Sequence, residues 1–323
     1  IRSYGLIPGL WMEPEVVGAK GEARELYTDD CYFSHGGVVL GISNRYQLDF
    51  RNKTVTDRLD RIVDELVGTY GVGYIKFDYN IEAGVGTDRR AESCGQGLLG
   101  HNRAVYEWVR GIGARHPGLV IENCASGGNR MDYLTMQVSD MQSTSDQIDY
   151  RVYPYIAANM FSALLPEQAA VWAYPAAHAD EVQPDAECTI MNMVNGMAGR
   201  MHLASRLDWL DAANAALVCE ATAFYKTLSA FRAAAVPYFE GGVPTDMYAG
   251  QIVYGLRNEH EILLFVYRMD GAETVSIRPG VRVRQAETVY PADSKIQPET
   301  DGTTVRIQFP QPYTARVIRL STR

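Results

Sequence analysis

The segment Tyr74-Ile75-Lys76-Phe77-Asp78-Tyr79-Asn80 is an apolar run that ends in a carboxylate, with a cation and an amide two positions either side. Side chains two apart in a strand point the same way, so Lys76, Asp78 and Asn80 would project into one space. Parallel α/β folds place their sites at such C-terminal strand ends. The competing reading is a surface turn, because strands commonly close on Asp and Asn. A second apolar run, Ile121-Glu122-Asn123-Cys124-Ala125-Ser126-Gly127-Gly128-Asn129-Arg130-Met131-Asp132, opens into a small-residue loop. Gly127 and Gly128 permit close approach of a ligand to the backbone. Read alone, the stretch is equally a turn in which Glu122, Arg130 and Asp132 form an ion-pair network. Gln142-Ser143-Thr144-Ser145-Asp146-Gln147-Ile148-Asp149 is a third polar strand end and adds two carboxylates. Three such ends in series point to a carboxylate-centred enzyme site.

Positioning these ends requires an alternating α/β chain. Strands are expected at Leu6–Met12, Tyr74–Phe77, Leu119–Ile121, Met141–Ser143, Ala169–Trp172 and Arg200–Leu203. Between them lie helical patterns. In Val55–Tyr70, residues Val55, Leu59, Ile62, Val63, Leu66 and Tyr70 share one face, and Asp57, Arg58, Asp60, Arg61 and Asp64 lie on the other. Further helices are expected at His101–Arg115, Pro154–Leu164, Ala186–Met197 and Leu210–Phe231. Helices after successive strands imply a parallel sheet. Past Gly242 the pattern changes to brief strands at Ile252–Leu256, Ile262–Tyr267, Thr274–Ile277, Glu287–Tyr290, Thr304–Phe309 and Ala315–Leu320. This reads as a separate antiparallel β domain, with the boundary near Thr245–Asp246.

Composition removes several function classes. The 323 residues are 46 % hydrophobic and 21 % charged, with a net charge of −9, so a large core is available and a general phosphate-backbone binder is disfavoured. No apolar run is long enough to span a bilayer. The five cysteines are odd in number, widely spaced and form no C-x-x-C pair, which favours a reducing compartment over a disulfide framework. The histidines show no metal-ligand spacing, and no metal or cofactor is expected. Gly95-Gln96-Gly97-Leu98-Leu99-Gly100 fits a dinucleotide pattern but follows a polar loop instead of a strand, so it is set aside. His35-Gly36-Gly37 reads as a surface turn or a pocket loop. His178, just past the Ala169–Trp172 strand, is a candidate for the pocket edge. The chain opens on Ile1 without a cleavable signal pattern and is expected to begin inside a longer product.

Lys76-Phe77-Asp78-Tyr79-Asn80, Glu122-Asn123-Cys124-Ala125-Ser126-Gly127-Gly128, Thr144-Ser145-Asp146 and Leu10-Trp11-Met12-Glu13-Pro14-Glu15 resemble, in that order-preserving set, the motifs of glycoside hydrolase family 36, the α-galactosidases of clan D. The resemblance implies a (β/α)8 TIM barrel, here with six βα units over residues 1–245, followed by an antiparallel β-sandwich over 246–323. It also implies retaining exo-action on terminal α-linked galactose of oligosaccharides such as melibiose or raffinose. Carried across by motif, Asp78 is the nucleophile and Asp146 the general acid/base, with Asp149 the alternative for the second role. One carboxylate must attack the anomeric carbon while ionised and the other must protonate the leaving oxygen, from about 5–5.5 Å away. Lys76 beside Asp78 would favour the ionised form. Lys76, Asn80, Cys124 and Gly127 match groups that hold sugar hydroxyls. Cys124 is equally read as a small buried apolar residue, and Trp11 as core or as a wall of the sugar pocket. Arg45 resembles the family's substrate-contacting arginine, although its offset from Leu48-Asp49 is two residues shorter.

One departure stands out: nothing matches the family's Asp-Asp-Gly-Trp-like strand end ahead of the Trp11 motif. The six strands would then be the third to eighth of a barrel, and the biological chain is expected to be longer. The alternatives are a related α-glycosidase such as an α-N-acetylgalactosaminidase, a transglycosidase, or a noncatalytic carbohydrate-binding remnant. The family resemblance further implies a homo-oligomer in the cytoplasm, and the acidic balance and the lack of a long apolar run argue against nucleic-acid and membrane partners.

Overall fold

A computed structural model describes residues 1–176, 185–246 and 248–322. The chain divides into two compact units, Ile1–Ser143 and Thr144–Arg323.

In the first unit, strands β1 (Gly9–Met12), β2 (Tyr74–Phe77), β3 (Val120–Asn123) and β4 (Met141–Ser143) pair in parallel in that order. The register sets Trp11 opposite Lys76 and Lys76 opposite Glu122, so three strands present these residues in one row. Helix α1 (Lys53–Gly68) precedes β2 and α2 (Cys94–Arg115) precedes β3. The apolar stripe expected on α1 packs in part: Val55, Leu59 and Val63 are buried with Ile75, Phe77, Trp108, Ile112 and Ile121 in one core and Leu66 lies half-buried against it, whereas Ile62 is exposed and Tyr70 is exposed beyond the helix end. Asn52 caps the helix, its side chain accepting from the Thr54 N–H, a contact worth about 1 kcal/mol.

Helix α2 begins seven residues ahead of the expected His101, at Cys94 after the Ser93 cap. The glycine-rich stretch is therefore helix, not a phosphate loop. Glycine is required at Gly97 because an added Cβ would lie 1.9 Å from the Thr87 carbonyl oxygen, so helix and loop backbones touch there. Ile75 is fully buried at the centre of the sheet that carries Asp78. Ile75→Ala should cost about 2–5 kcal/mol of unfolding free energy, read from the urea midpoint at constant slope.

The segment between β1 and α1 holds short antiparallel strands that sequence patterning omits, Val16–Gly18, Gly41–Ile42 and Arg45–Gln47. Each is too short to show an alternation. A hairpin, Ser34–His35 with Val38–Val39, turns on Gly36 and Gly37, both at positive φ, which makes His35-Gly36-Gly37 a turn.

In the second unit, β5 (Ala169–Ala173) and β6 (Arg200–Leu203) pair in parallel, connected by α4 (Ala186–Met197), while α3 (Tyr153–Asn159) precedes β5. Helix α5 (Ala212–Thr227) stops short of Phe231, and a separate helix spans Ser229–Ala234. Two antiparallel sheets follow. One runs β7 (Val236–Phe239), β8 (Gln251–Arg257), β9 (Glu261–Arg268), β14 (Thr314–Ser321) and β11 (Gln285–Tyr290); the other runs β10 (Thr274–Ile277), β13 (Val305–Gln308) and β12 (Glu299–Thr300). Ile262, Leu264, Val266, Val275, Ile277, Val305, Ile307, Phe309, Ile318 and Leu320 from both sheets share one core. Strand β7, which sequence patterning omits, pairs with β8 from Val236 opposite Arg257 to Phe239 opposite Tyr254.

Candidate active site

The C-terminal ends of β1, β2 and β3 converge on Asp78, which is 8 % exposed. Its Oδ2 accepts a hydrogen bond from Trp11 Nε1 at 2.9 Å. Its Oδ1 accepts from the Tyr79 N–H at 2.8 Å and the Ser126 N–H at 3.2 Å. Burial alone would push the carboxyl up, but the donors of Asn80, Trp11, Cys124 and the Tyr79 backbone outweigh it, and the Asp78 pKa falls below the usual aspartate value. The group is thus held as an anion with its two oxygens oriented.

Ser126 reaches Asp78 because the β3 loop turns through two residues of positive φ, Ser126 at 45° and Gly127 at 79°. A left-handed serine costs about 1–2 kcal/mol. It is offset by three bonds: the Ser126 N–H and Oγ both donate to Asn80 Oδ1, at 3.0 and 2.7 Å, besides the N–H contact to Asp78. The turn also faces the Gly127 N–H toward the Cys124 sulfur. Cys124 is buried, and burial together with the Asp78 carboxylate pushes its thiol up to about 11. It therefore stays protonated at neutral pH and donates toward Asp78.

Lys76 Nζ lies 3.6 Å from Glu122 Oε1 and donates to Ser143 Oγ at 3.4 Å, and Tyr74 donates to the other Glu122 oxygen. Arg45 Nη1 donates to the Asn80 carbonyl at 2.6 Å and lies 3.5 Å from Glu13, whose carboxylate also accepts from the Asn80 N–H at 3.0 Å. The first unit thus brings Trp11, Arg45, Lys76, Asp78, Asn80, Cys124 and Gly127 together around one strand end. Trp11 is 55 % exposed, so it is not core; its ring is open to solvent while its N–H holds the carboxylate.

Asp146 and Asp149 belong to the second unit, in the loop before α3. Asp146 is exposed. Both oxygens of Asp149 are taken by Arg151, at 3.1 Å from Nε and 3.1 Å from Nη2, and Oδ1 also accepts from the Arg151 N–H at 2.9 Å. The Tyr153 hydroxyl accepts from the Trp172 N–H at 2.9 Å and lies 3.2 Å from Thr144 Oγ1, so it ties the start of the Asp146 loop to β5. His178 lies outside the described residues.

Two residues that contact the Asp78 cradle escape sequence reasoning, as does one aromatic grouping of the second unit. Glu13 and Ser126 stand inside the quoted motifs but carry no role that spacing could assign. Trp172 stacks on Tyr174 with centroids 5.8 Å apart and meets the His202 ring edge-on at 5.1 Å, a grouping of the β5 and β6 ends that only pairing creates. Among the described residues, no cluster of His, Cys, Asp and Glu could hold a metal ion, and no helix is long and apolar enough to cross a membrane.

The profile of the melibiase family matches residues 1–233. The chain belongs to that family. Among curated melibiase relatives, α-galactosidase Mel36A of Lactobacillus acidophilus is 26 % identical over 148 residues, covering 43 % of this chain and 20 % of the relative. α-Galactosidase AgaA of Geobacillus stearothermophilus is 27 % identical over 155 residues, covering 46 % and 21 %. The solved AgaA structure superposes on all of this chain with a TM-score of 0.78 at 17 % identity, over 45 % of its own length. The galactosidase domain of the α-galactosidase–sucrose kinase AgaSK, an enzyme of Mediterraneibacter gnavus, gives a TM-score of 0.80 at 17 % identity, over all of this chain and 44 % of that one. The chain spans less than half the length of these solved melibiase relatives. The α/β fold with antiparallel sheets following it is therefore the family's fold.

Proposed function

We propose that this protein is a retaining exo-α-galactosidase that removes terminal α-linked galactose from oligosaccharides. The observation that carries the reading is the cradle around Asp78, an oriented, ionised carboxylate at a strand end that matches a melibiase motif. In this reading Asp78 attacks the anomeric carbon as Asp146 protonates the leaving oxygen. A covalent galactosyl ester forms on Asp78, and water activated by Asp146 then displaces it. Lys76, Asn80, Cys124, Gly127 and Arg45 hold sugar hydroxyls, and Trp11 walls the pocket.

Two solved AgaA variants support the substrate class, one in complex with raffinose and one with stachyose. The aspartates replaced in those variants are separated by nearly the same stretch of chain as Asp78 and Asp146. Asp146 is favoured over Asp149 because the latter's oxygens are occupied by Arg151. The reading includes a (β/α)8 barrel to which residues 1–245 contribute six units, and a β-sandwich over 246–323. It places the enzyme as a cytoplasmic homo-oligomer, in keeping with five free cysteines.

The test is hydrolysis of p-nitrophenyl α-galactoside followed by proton NMR. Nitrophenol release with α-galactose as the first-formed anomer is expected. A β-anomer would rule out the double displacement. Release from the α-N-acetylgalactosaminide alone would move the specificity, and sugar binding without release would leave a noncatalytic lectin-like protein.

A further inference from the structure

Behind the Asp78 cradle lies a buried polar ring that the chemistry above does not use. Glu15, three residues beyond β1, is 2 % exposed, and His101 on α2 is 1 % exposed. Glu15 Oε1 accepts from Arg130 Nη1 at 2.6 Å, and its Oε2 lies 3.0 Å from His101 Nε2. The Arg130 guanidinium lies over the Tyr79 ring, 4.0 Å from its centroid. The Tyr79 hydroxyl donates to Gln47 Oε1 at 3.0 Å, and Gln47 Nε2 donates back to the Glu15 carbonyl at 3.0 Å. The ring Glu15, Arg130, Tyr79, Gln47 is thereby closed. The Arg130 carbonyl is fixed as well, accepting from Asn123 Nδ2 at 2.8 Å.

Resting on the assignment of Asp78 as nucleophile, we infer that Glu15 and Arg130 form a buried positioning clamp that sets the direction of the Asp78 carboxylate. Two of its bonds come from segments the clamp holds: the Tyr79 N–H, next to the stacked ring, and the Ser126 N–H, in the loop that Arg130 closes. Hydrophobic side chains of similar volume would often stabilise a core as well as a buried ion pair does. A guanidinium instead joins a carboxylate and an aromatic face through one rigid plane.

The charges around the clamp favour its ionised form. Burial pushes the Glu15 carboxyl up, but Arg130 and His101 outweigh it and bring it down to about 2. The phenols of Tyr79 and Tyr106 face the pair, with Asp132 beyond Tyr106. Asp78 is faced by Trp11, Asn80, Cys124 and the two N–H groups, with Lys76 on the same side of β2.

Glu15→Gln in the full-length protein keeps the shape and removes the charge. Its kcat/KM should fall on the order of 10²-fold with KM little changed, because misplacement of a reacting group by about 1 Å costs that much. The acid limb of its pH profile should move to higher pH as Asp78 loses donors. Arg130→Lys, which keeps the charge without the flat stack, should fall in between. Carbon-13 titration of the Asp78 carboxylate, assigned by difference from Asp78→Asn, reads the same effect without turnover: its midpoint should rise in Glu15→Gln. An unchanged midpoint and profile, with only a lower melting temperature, would make the ring structural and overturn the clamp. If wild-type protein shows no galactosidase activity, the functional reading fails while the titration still decides the clamp. Should Glu15→Gln not fold, Tyr79→Leu removes the stacked ring and leaves the ion pair. The same rise in midpoint is expected there, and its absence overturns the clamp.

Discussion

Under the proposed mechanism, replacing Asp78 with alanine should lower kcat by at least about 10⁴-fold, the scale seen when a covalent nucleophile is deleted. In that mechanism the galactosyl ester would have no other atom on which to form, and Trp11 Nε1 and the Tyr79 and Ser126 N–H groups lose their shared acceptor. Ser126 N–H keeps Asn80 Oδ1, and a donor left without an acceptor costs about 1–3 kcal/mol, so the melting temperature should fall too, through Trp11 Nε1 and the Tyr79 N–H. Asp78→Asn keeps the shape and separates the two losses: turnover stays absent while stability largely returns. Added azide should attack the anomeric carbon in the space vacated by the alanine variant and give β-galactosyl azide, inverted relative to the substrate. The wild-type pH profile belongs to the same prediction. In the proposed mechanism Asp78 works as an anion, and its carboxyl is depressed, so kcat/KM should hold as pH falls through the ordinary aspartate range, declining only through the lower Asp78 value. Turnover of Asp78→Ala within tenfold of wild type would remove Asp78 from the nucleophile's role.

Asp146→Ala should cost about 10²–10⁴-fold on raffinose-like substrates, whose alkoxide leaving groups need a proton, and far less on activated nitrophenyl galactosides. With an activated substrate the galactosyl ester forms unaided and then waits for a base. Azide needs no base, so it should accelerate release and give α-galactosyl azide, retained relative to the substrate. The opposite stereochemistry of the two rescues separates the roles of the two aspartates. Asp149→Ala serves as the comparison. It frees Arg151 and should disturb the loop before α3 without leaving-group dependence. If Asp149→Ala carried that dependence and Asp146→Ala did not, the acid/base role would pass to Asp149.

Much of the frame is legible in the chain because periodicity and burial act locally. β2, β4, β6, α4 and β10 occupy the residues that pattern alone indicates, and the other long elements differ from it mainly at their ends. Strand ends carry the Asp78 cluster because alternate side chains of an extended chain share a side, a property of any two-residue period. Helix α2 is longer than its apolar pattern because Gly97 is chosen by a backbone contact with Thr87, and no period records that. The strands around Arg45 are two or three residues long and β7 shows no alternation of burial, so these strands are defined by their pairing with other segments.

The chain by itself determined which residues stand at the strand ends and which family motifs they match. Only the tertiary structure decided what holds them: that Trp11 donates to Asp78 across 67 positions, that Ser126 turns left-handed to reach the same carboxylate, and that Arg130 joins Glu15 across 115. The physical reason is that motif identity is written in neighbouring side chains. The orientation and ionisation of a buried carboxylate are set by donors that folding imports from other strands.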